Sequence, residues 1–409
     1  MLKSINIKNY KSCENVSTNH IGQLVVLVGR NGAGKSNILK AVDWMARSST
    51  SSTPLNLSAH LSANAPARAS VTLDFKIDQS DYSYTFEVGL DRNRNKAKDN
   101  QRTRAPAAII NEDILENLNG KEQDFVRRKG SVVEMPGREP ISISPNLPCL
   151  PALISLLPQD DAVVPRIRSL VTFLHGIRYY HFDEPNDLPV YNSLISEDEY
   201  KEWASQYTAD WGDPGDSVQC RILNMYLESI DKLDELRSLL GPDGLNLIES
   251  VEIVPFDLPM KKPGDNNEGK RRYYFLQFNP TQNHGGTKND FEYGELSLGT
   301  RRVIRILVSL LFDDSSIILG EHPEDAIHSG LTKKLIAFLR RYVKPGQLIL
   351  SSHSLVVFNT LSPGDVRLVA MLGGKTTVRP LSQREIDAAS KFISEEGAFS
   401  DVIEAIQDE

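Results

Sequence analysis

The segment from Gly29 to Ser36 contains residue types at a spacing that suits phosphate binding. It reads Gly-Arg-Asn-Gly-Ala-Gly-Lys-Ser and matches the pattern GxxxxGK[ST]. Glycines let backbone N–H groups wrap closely around phosphate oxygens, and a helix that begins there adds its positive N-terminus. Lys35 can reach the β- and γ-phosphates, and the Ser36 hydroxyl can bind Mg²⁺. The segment therefore predicts a site for ATP and Mg²⁺, with nucleotide contacts from Gly29, Asn31, Gly32, Ala33, Gly34, Lys35, Ser36 and Asn37.

Three later segments carry polar residues where predicted helices begin or strands end. Ser297 is a candidate helix N-cap, and Gly299 would let an anion approach that helix start. Glu321 and Glu324 follow an apolar strand, and His353 follows another. Each feature alone is typical of an ordinary cap, a turn or a structural histidine. Their order after the phosphate segment favours one shared site, built from Leu296–Arg302, Ile317–Glu324 and Leu348–Ser354.

The hydrophobic pattern predicts the elements that hold these residues. The continuous apolar run at 23–28 suits a strand buried on both faces, as in a parallel sheet. A helix should begin near Lys35, and the Ser/Thr-rich stretch Ser48–Thr53 should be a loop after it. Alternating residues predict strands at 2–8 and a pair of strands within 69–90.

The chain divides into three predicted parts. Strands alternate with helices from about residue 290, which indicates a mainly parallel sheet covered on both faces. The middle has apolar residues at helical spacing and no sustained heptad repeat. The sequence thus predicts an α/β fold with a helical insertion: residues 1–150 and 286–409 would form one domain, and 151–285 the insertion.

Composition restricts the class of protein. The chain of 409 residues has a net charge of −8, and its three cysteines form no CxxC pair. This pattern disfavours a disulfide framework and a cysteine-based zinc site. The first residues alternate polar and apolar types, which is not the pattern of a signal peptide, and no apolar run reaches about 18 residues. We therefore expect a cytoplasmic protein without a membrane partner.

One segment is strongly basic despite the acidic total. Its positive residues lie among polar ones without a hydrophobic stripe, which favours a solvated loop. Contact with nucleic-acid phosphates is the alternative. The residues concerned are Arg92, Arg94, Lys96, Lys98, Arg102 and Arg104.

Together these motifs resemble the ABC-type AAA ATPases of the RecF, SMC, Rad50 and OLD group, with an AAA_21-like arrangement. The resemblance covers the start of the chain, to Ala41, and its end, from about residue 290 to 400. Its motifs are Asn9-Tyr10-Lys11-Ser12, Gly29–Asn37, the signature-like Leu296–Thr300, the Walker B-like Glu321–Glu324 with the run Pro323–His328, the switch-like His353 and the tail Glu395–Ser400.

The resemblance implies a P-loop ATPase head that works as a pair. Two heads would sandwich two ATP molecules, with Ser297 and Gly299 of one copy capping the γ-phosphate bound by Lys35 of the other. Lys11 and Ser12 would also contact nucleotide. Mg²⁺ would be held by Ser36 and Glu321, and the catalytic group would comprise Glu321, His322, Glu324 and His353.

The Walker B-like segment departs from the family pattern. Its usual sequence is Asp-Glu-Pro-Glu, whereas this chain has Glu321-His322-Pro323-Glu324. His322 stands where the catalytic carboxylate should be, and a neutral imidazole brings no negative charge. We therefore expect slow hydrolysis of ATP, or hydrolysis that uses Glu324 or another acid.

A second segment, Tyr179–Pro185, also looks like a strand that ends in Asp-Glu-Pro. It precedes the signature-like segment and falls within the predicted insertion. Asp183 and Glu184 remain an alternative magnesium site, which would reverse the expectation of slow hydrolysis.

Three functions remain open from the sequence. The first is the ATPase subunit of an antiphage defence system, similar to those of PARIS or Septu, which controls a separate effector such as a nuclease. Its support is the size, the absence of a long coiled coil, the histidine in the Walker B-like segment and the lack of room for a C-terminal nuclease domain. The alternatives are a DNA-repair ATPase resembling RecF and a nucleotide-dependent scaffold that does not hydrolyse ATP.

Overall fold

The computed structural model describes residues 1–55, 68–90, 107–118, 121–181, 194–209, 217–260, 269–280, 291–313, 315–342, 346–395 and 397–408. The basic segment Arg92–Arg104 and the acidic pair Asp183 and Glu184 lie outside these ranges. The chain forms two compact units. The first contains Met1–His181, Ser315–His322 and Leu339–Glu409, and the second contains Phe182–Asp314 and Pro323–Phe338.

In chain order the strands are β1 (Leu2–Tyr10), β2 (Cys13–Asn19), β3 (Leu24–Val28), β4 (Arg68–Ile77), β5 (Ser80–Leu90), β6 (Ala107–Leu118), β7 (Lys121–Lys129), β8 (Val132–Glu134), β9 (Ile141–Ser142), β10 (Ile177–His181), β11 (Leu194–Ser196), β12 (Ile248–Met260), β13 (Gly269–Pro280), β14 (Ile317–Glu321), β15 (Gln347–Ser352), β16 (Val366–Leu372) and β17 (Lys375–Pro380). The α-helices are α1 (Lys35–Thr50), α2 (Cys149–Leu156), α3 (Val164–His175), α4 (Glu197–Ala209), α5 (Val218–Glu228), α6 (Ile230–Leu240), α7 (Leu298–Phe312), α8 (Ser329–Tyr342), α9 (Leu355–Phe358), α10 (Gln383–Ser394) and α11 (Phe399–Asp408).

The first unit contains a mainly parallel sheet, with strand order β10-β14-β15-β3-β16-β17. Every neighbouring pair is parallel except the last, because β17 returns beside β16 as a hairpin. All residues of β3, β14 and β15 are buried. This confirms the α/β fold class and the interpretation of the apolar run at 23–28 as a strand covered on both faces.

A second sheet of the same unit has eight strands in the order β2-β1-β4-β5-β6-β7-β8-β9, and all its pairs are antiparallel. Buried and more exposed residues alternate along β4, which confirms the period-2 pattern that predicted the strands near 2–8 and 69–90. Inward side chains of this sheet join α1, α2, α3 and one face of the parallel sheet in a single hydrophobic core. That core fixes α1 against the strands that precede the candidate site.

One local expectation differs from the structure. The predicted loop at Ser48–Thr53 begins later, because α1 continues to Thr50. The hydroxyls of Ser49 and Thr50 donate to the Ala46 carbonyl oxygen over 3.1 and 2.7 Å, so these buried polar groups are satisfied within the helix.

The predicted insertion at 151–285 is divided between the units. Helix α3 and most of α2 fall in this range and pack in the core of the first unit, and β10 is an edge strand of its parallel sheet. The spacing of apolar residues in these helices suits a separate helical insertion as well as it suits packing on the core of the first unit. The sequence pattern alone therefore could not distinguish the two arrangements.

The second unit contains helices α4 to α7 and a three-stranded antiparallel sheet of order β11-β13-β12. Buried Arg221 on α5 donates to Ser309 Oγ and Asp313 Oδ2, at 3.2 and 3.3 Å, beside the C-terminal end of α7. The Phe312 ring also contacts Trp203, with 6.0 Å between ring centroids. Among the described residues, no helix is both long and apolar enough to cross a membrane.

Candidate functional site

The predicted site residues of the first unit meet at one edge of the parallel sheet. Strand β3 leads directly into Gly29, β14 ends at Glu321, and β15 ends just before His353. Parallel strands end at the same edge, where ligands of open α/β sheets bind. The phosphate-binding loop, the acid and the histidine therefore share one edge, as their order in the sequence indicated.

The glycines of the phosphate-binding loop are required by the backbone and by close packing. Gly32 and Gly34 have φ angles of 77° and 99°, in the region that other residues rarely adopt. A Cβ atom on Gly34 would lie 1.9 Å from Thr376 Oγ1, and one on Gly29 would lie 2.1 Å from the Val369 carbonyl oxygen. Asn31 is exposed and Ala33 is buried within the same turn.

Helix α1 begins at Lys35, with Gly34 as an N-cap that supplies no side-chain hydrogen bond. Gly34 therefore adds no side-chain cap to the first turn, which presents N–H groups and a partial positive charge to the loop. The Lys35 ammonium is buried, 4% exposed, and donates to the carbonyl oxygens of Gly29 and Arg30 at 2.6 and 3.1 Å. Its charge is thus held inside the loop, and Ser36 follows it, partly buried, in the first turn.

The predicted contacts from Lys11, Ser12 and Asn37 are close to the loop. Asn37 Nδ2 donates to Ser12 Oγ at 2.7 Å. Partial burial lowers the pKa of the Lys11 amine, nearby Lys40 lowers it further, and the carboxylate of Glu321 acts in the opposite direction. The Asn-Tyr-Lys-Ser segment therefore brings a cation next to the buried acid.

Thr376, which the sequence did not single out, links this segment to the loop. Its hydroxyl lies 2.7 Å from Ser12 Oγ and donates to the Ala33 carbonyl oxygen at 3.1 Å. Its backbone N–H donates to the Ser12 carbonyl oxygen at 2.8 Å. Thr376 reaches the loop from β17, which pairs with β16 and lies against β2.

Glu321 has the surroundings of a metal-binding carboxylate. Its residue is 4% exposed, and Oε2 lies 3.5 Å from His181 Nε2. Its other oxygen, Oε1, is buried and has no hydrogen-bond partner among the described residues. A buried, unsatisfied carboxylate oxygen is unfavourable unless a ligand engages it, and Mg²⁺ prefers oxygen ligands. The surroundings of Glu321 therefore fit its predicted part in a Mg²⁺ site.

His322 and His353 contact each other beside this acid. Their Nδ1 atoms are 3.1 Å apart, so one ring donates its proton to the other, and the ring centroids are 4.8 Å apart. The backbone N–H of His322 donates to the Ser351 carbonyl oxygen at 3.0 Å. His322 has a φ of 44°, a left-handed conformation that costs free energy outside glycine and occurs often at functional sites.

The remaining predicted residues, Ser297, Gly299 and Glu324, lie in the second unit. Ser297 is the N-cap of α7, and its hydroxyl accepts from the Thr300 N–H at 3.2 Å, which confirms the predicted cap. A Cβ atom on Gly299 would lie 2.4 Å from the Ala326 carbonyl oxygen, so packing within the chain already requires this glycine. Glu324 is 7% exposed, and its carbonyl oxygen accepts from the Ile327 N–H at 3.1 Å.

Two family models each match part of the chain. A family model described as "AAA ATPase domain" matches residues 1–132. Another, described as "AAA domain, putative AbiEii toxin, Type IV TA system", matches residues 165–359. The first range includes the phosphate-binding loop, and the second includes Glu321 and His353.

Individual proteins show weaker or shorter similarities. An uncharacterized protein of Methanocaldococcus jannaschii is 46% identical over 43 residues, which are 10% of this chain, and the match spans only 13% of that protein's length. Among solved structures, the SMC head domain from Thermotoga maritima is 14% identical, with a TM-score of 0.43 over 93% of this chain and 99% of that chain. An Smc head bound to the C-winged helix domain of ScpA is 15% identical, with a TM-score of 0.46 over 95% and 99% of the two chains.

Proposed function

We propose that this chain, which matches two AAA family models, is an ABC-type AAA ATPase of the RecF, SMC and Rad50 group that binds MgATP at Gly29–Ser36 and hydrolyses it slowly. One observation carries the proposal. The uncapped first turn of α1 and the buried ammonium of Lys35 occupy the sheet edge at which Glu321 keeps a buried oxygen without a partner among the described residues. A magnesium-bound triphosphate requires N–H groups and a cation for its phosphates and a carboxylate for its metal ion, and this edge of the sheet has all three.

Each residue has a distinct part in this proposal. The loop N–H groups and Lys35 hold the phosphates, and Lys35 exchanges its carbonyl partners for phosphate oxygens, which form stronger charge-assisted hydrogen bonds. Ser36 and Glu321 hold Mg²⁺, which neutralises charge on the β- and γ-phosphates when bound. Asn37, Ser12 and Thr376 keep the loop in shape through their shared hydrogen bonds.

Slow hydrolysis follows from the histidine pair. Attack by water on the γ-phosphate needs a group that orients the water and takes up its proton. At the usual position of the carboxylate, this chain has His322, whose Nδ1 is engaged with His353. A neutral imidazole at that position brings no negative charge, so we expect the ATP-bound state to last longer.

The second part of the proposal is assembly in pairs. The γ-phosphate of one copy would meet the N-terminus of α7 from another copy, with Ser297 and Gly299 at the contact. Ser297 and Leu298 are exposed, and Leu298 is 47% exposed. An exposed apolar residue at a helix N-terminus suits a surface that is covered only when ATP is bound.

We further propose that the ATP-bound pair controls a separate effector, such as a nuclease, in antiphage defence. The description of one matched family model names a toxin and a type IV TA system. A toxin–antitoxin system has two components, as its name says. A long-lived ATP state suits a sensor that holds a partner. A RecF-like role in DNA repair has the basic segment Arg92–Arg104 as its best support. A scaffold that does not hydrolyse ATP is the limit of this proposal at which turnover falls to zero.

The test measures ATP affinity and turnover for the wild type, Lys35→Ala and His322→Glu. We expect Lys35→Ala to weaken ATP binding by at least about 100-fold, because an ammonium inside the phosphate loop is lost. We expect His322→Glu to speed hydrolysis by about 10- to 100-fold with unchanged affinity, because a carboxylate base is restored. Fast turnover in the wild type that His322→Ala abolishes would contradict the slow-switch proposal.

Native mass spectrometry of the tagged protein, with and without ATP, tests assembly and partner control together. A dimer that forms only with ATP and captures a second protein supports the proposal. Steeply salt-dependent DNA binding that is lost when Arg92–Arg104 is neutralised would favour the RecF-like alternative.

A further inference from the structure

Three polar side chains form a row across the end of the parallel sheet. His181 pairs with Glu321 between β10 and β14, and Glu321 pairs with Ser351 between β14 and β15. Residues in register on parallel strands point to the same side of a sheet. The row is therefore one surface made of an imidazole, a carboxylate and a hydroxyl.

This surface lies on the side of the sheet that faces α1. Residues an even number of positions earlier on the same strands, namely Ile177, Leu319 and Ile349, are in the core that α1 shares. Lys40 of α1 places its ammonium 5.8 Å from the ring centroid of Tyr179, two residues before His181. Ser36 lies one helical turn before Lys40 on the same helix face, so it is directed toward the same part of the sheet.

Two atoms of the row are buried and unsatisfied. Ser351 is fully buried, and neither its hydroxyl oxygen nor Glu321 Oε1 has a hydrogen-bond partner within the described ranges. Two such atoms on neighbouring strands destabilise a folded protein unless a ligand engages them. Glu321 Oε2, by contrast, lies within 3.5 Å of His181 Nε2.

We propose that His181 and Ser351 are positioning residues for the magnesium ion of bound ATP, acting on either side of Glu321. His181 holds Oε2 and so directs Oε1 toward the ion. Ser351 directs its hydroxyl to the water that Mg²⁺ retains when it binds through few protein ligands. Strand β10 then contributes to the site through His181. This inference rests on the proposed ATP function and adds two residues to it.

The experiment separates metal binding from nucleotide binding and from folding. Affinity for a fluorescent ATP analogue is measured in EDTA and during a Mg²⁺ titration, together with the melting temperature of the protein without either ligand. The variants are Ser351→Ala, His181→Ala and His181→Gln, which keeps an N–H donor. Ser49→Ala is the matched control, because Ser49 is also fully buried but its hydroxyl is bonded to Ala46.

We expect Ser351→Ala and His181→Ala to bind the analogue normally in EDTA and to need about 10-fold more Mg²⁺ for half-maximal tightening. His181→Gln should recover most of that loss. Without ligands, Ser351→Ala should melt no lower than the wild type, since its hydroxyl is unsatisfied, whereas Ser49→Ala should melt lower without any change in the Mg²⁺ requirement.

Wild-type Mg²⁺ requirements in both alanine variants would overturn this inference and leave the proposed function intact. A Ser351→Ala variant that melts lower and binds Mg²⁺ normally would also overturn it, since the hydroxyl would then be structural. If the wild type itself showed no Mg²⁺-dependent binding of the analogue, the proposed function and this inference would both be wrong.

Discussion

The two helix starts that carry the candidate nucleotide contacts, those of α1 and α7, differ in how their N–H groups are satisfied. Helix α1 follows Gly34, in a left-handed conformation, and receives no side-chain cap. Helix α7 follows Ser297, in an extended conformation, whose hydroxyl accepts from the Thr300 N–H. One start is therefore open to an anion as the chain folds, and the other is already partly satisfied by its own side chain.

This difference predicts an order of events. A phosphate at α1 gains uncapped N–H groups and the Lys35 ammonium without breaking a helix cap, so a single chain should bind ATP. At α7, a phosphate of another copy must compete with the Ser297–Thr300 hydrogen bond. The exchange is favourable only because a charged acceptor forms stronger hydrogen bonds than a neutral hydroxyl. Assembly should therefore be weaker than nucleotide binding and depend on it.

The largest expected effect comes from adding one methyl group to the open helix start. In Gly34→Ala, the new Cβ atom would lie 1.9 Å from Thr376 Oγ1, and the residue would keep a φ of 99°. Left-handed strain of about 1–3 kcal/mol together with this clash must distort the loop. We expect ATP affinity, measured by isothermal titration calorimetry, to fall by about 100-fold.

Gly32→Ala is the matched control for this prediction. Gly32 also has a positive φ, 77°, but a Cβ atom there would meet nothing within 4 Å. This variant carries the conformational strain without the clash and should lose no more than about 10-fold in affinity. Equal losses in both variants would mean that Thr376 does not constrain the loop.

The next effect concerns the capped helix start. Ser297→Ala should cost about 1 kcal/mol of unfolding free energy through loss of the cap and should leave ATP binding by a single chain unchanged. If Ser297 also meets the γ-phosphate of another copy, the ATP-dependent dimer should weaken by about 10-fold or more, because a hydrogen bond to a charged acceptor is lost as well. Analytical ultracentrifugation with ATP measures the dimer constant.

Ser382→Ala provides the control for the cap itself. Ser382 is the N-cap of α10, and its hydroxyl likewise accepts a backbone N–H, that of Glu385. This variant should lose similar stability with a normal dimer constant. If Ser297→Ala and Ser382→Ala assembled equally well, contact of Ser297 with a second copy's phosphate would be ruled out.

Local sequence patterns were sufficient for the elements next to the motifs and for the residues that belong to one motif, but not for the strands β6 to β9 and β11 to β13. The loop Gly29–Ser36, the cap at Ser297 and the strands that lead to Glu321 and His353 were all predicted. Each depends on spacing within a few residues, and backbone chemistry fixes the structural consequence of such spacing. The length of α1 was underestimated, because Ser49 and Thr50 satisfy their hydroxyls within the helix instead of ending it.

Residues positioned by sheet pairing could not be predicted in this way. Thr376 reaches Ser12, 364 positions earlier in the chain, and no local pattern marks it. His181 and Ser351 are neighbours of Glu321 only through strand register. A one-residue change of register would turn these side chains to the other face, and the sequence of a fully buried strand carries no alternation that specifies it.

The smallest expected effect sharpens the comparison between the two helix starts by testing what supports the open one. Thr376→Val removes a hydroxyl that contacts Ser12 Oγ and the Ala33 carbonyl oxygen, at 2.7 and 3.1 Å, and keeps the shape of the side chain. A net loss of about 1 kcal/mol corresponds to about 5-fold weaker ATP binding in calorimetry, and Thr376→Ser should restore it. A normal affinity in Thr376→Val would mean that packing against Gly34, rather than hydrogen bonding, is the contribution of β17. In that case, packing alone would fix the conformation of the loop at the start of α1, whereas a hydrogen bond to Ser297 caps the start of α7.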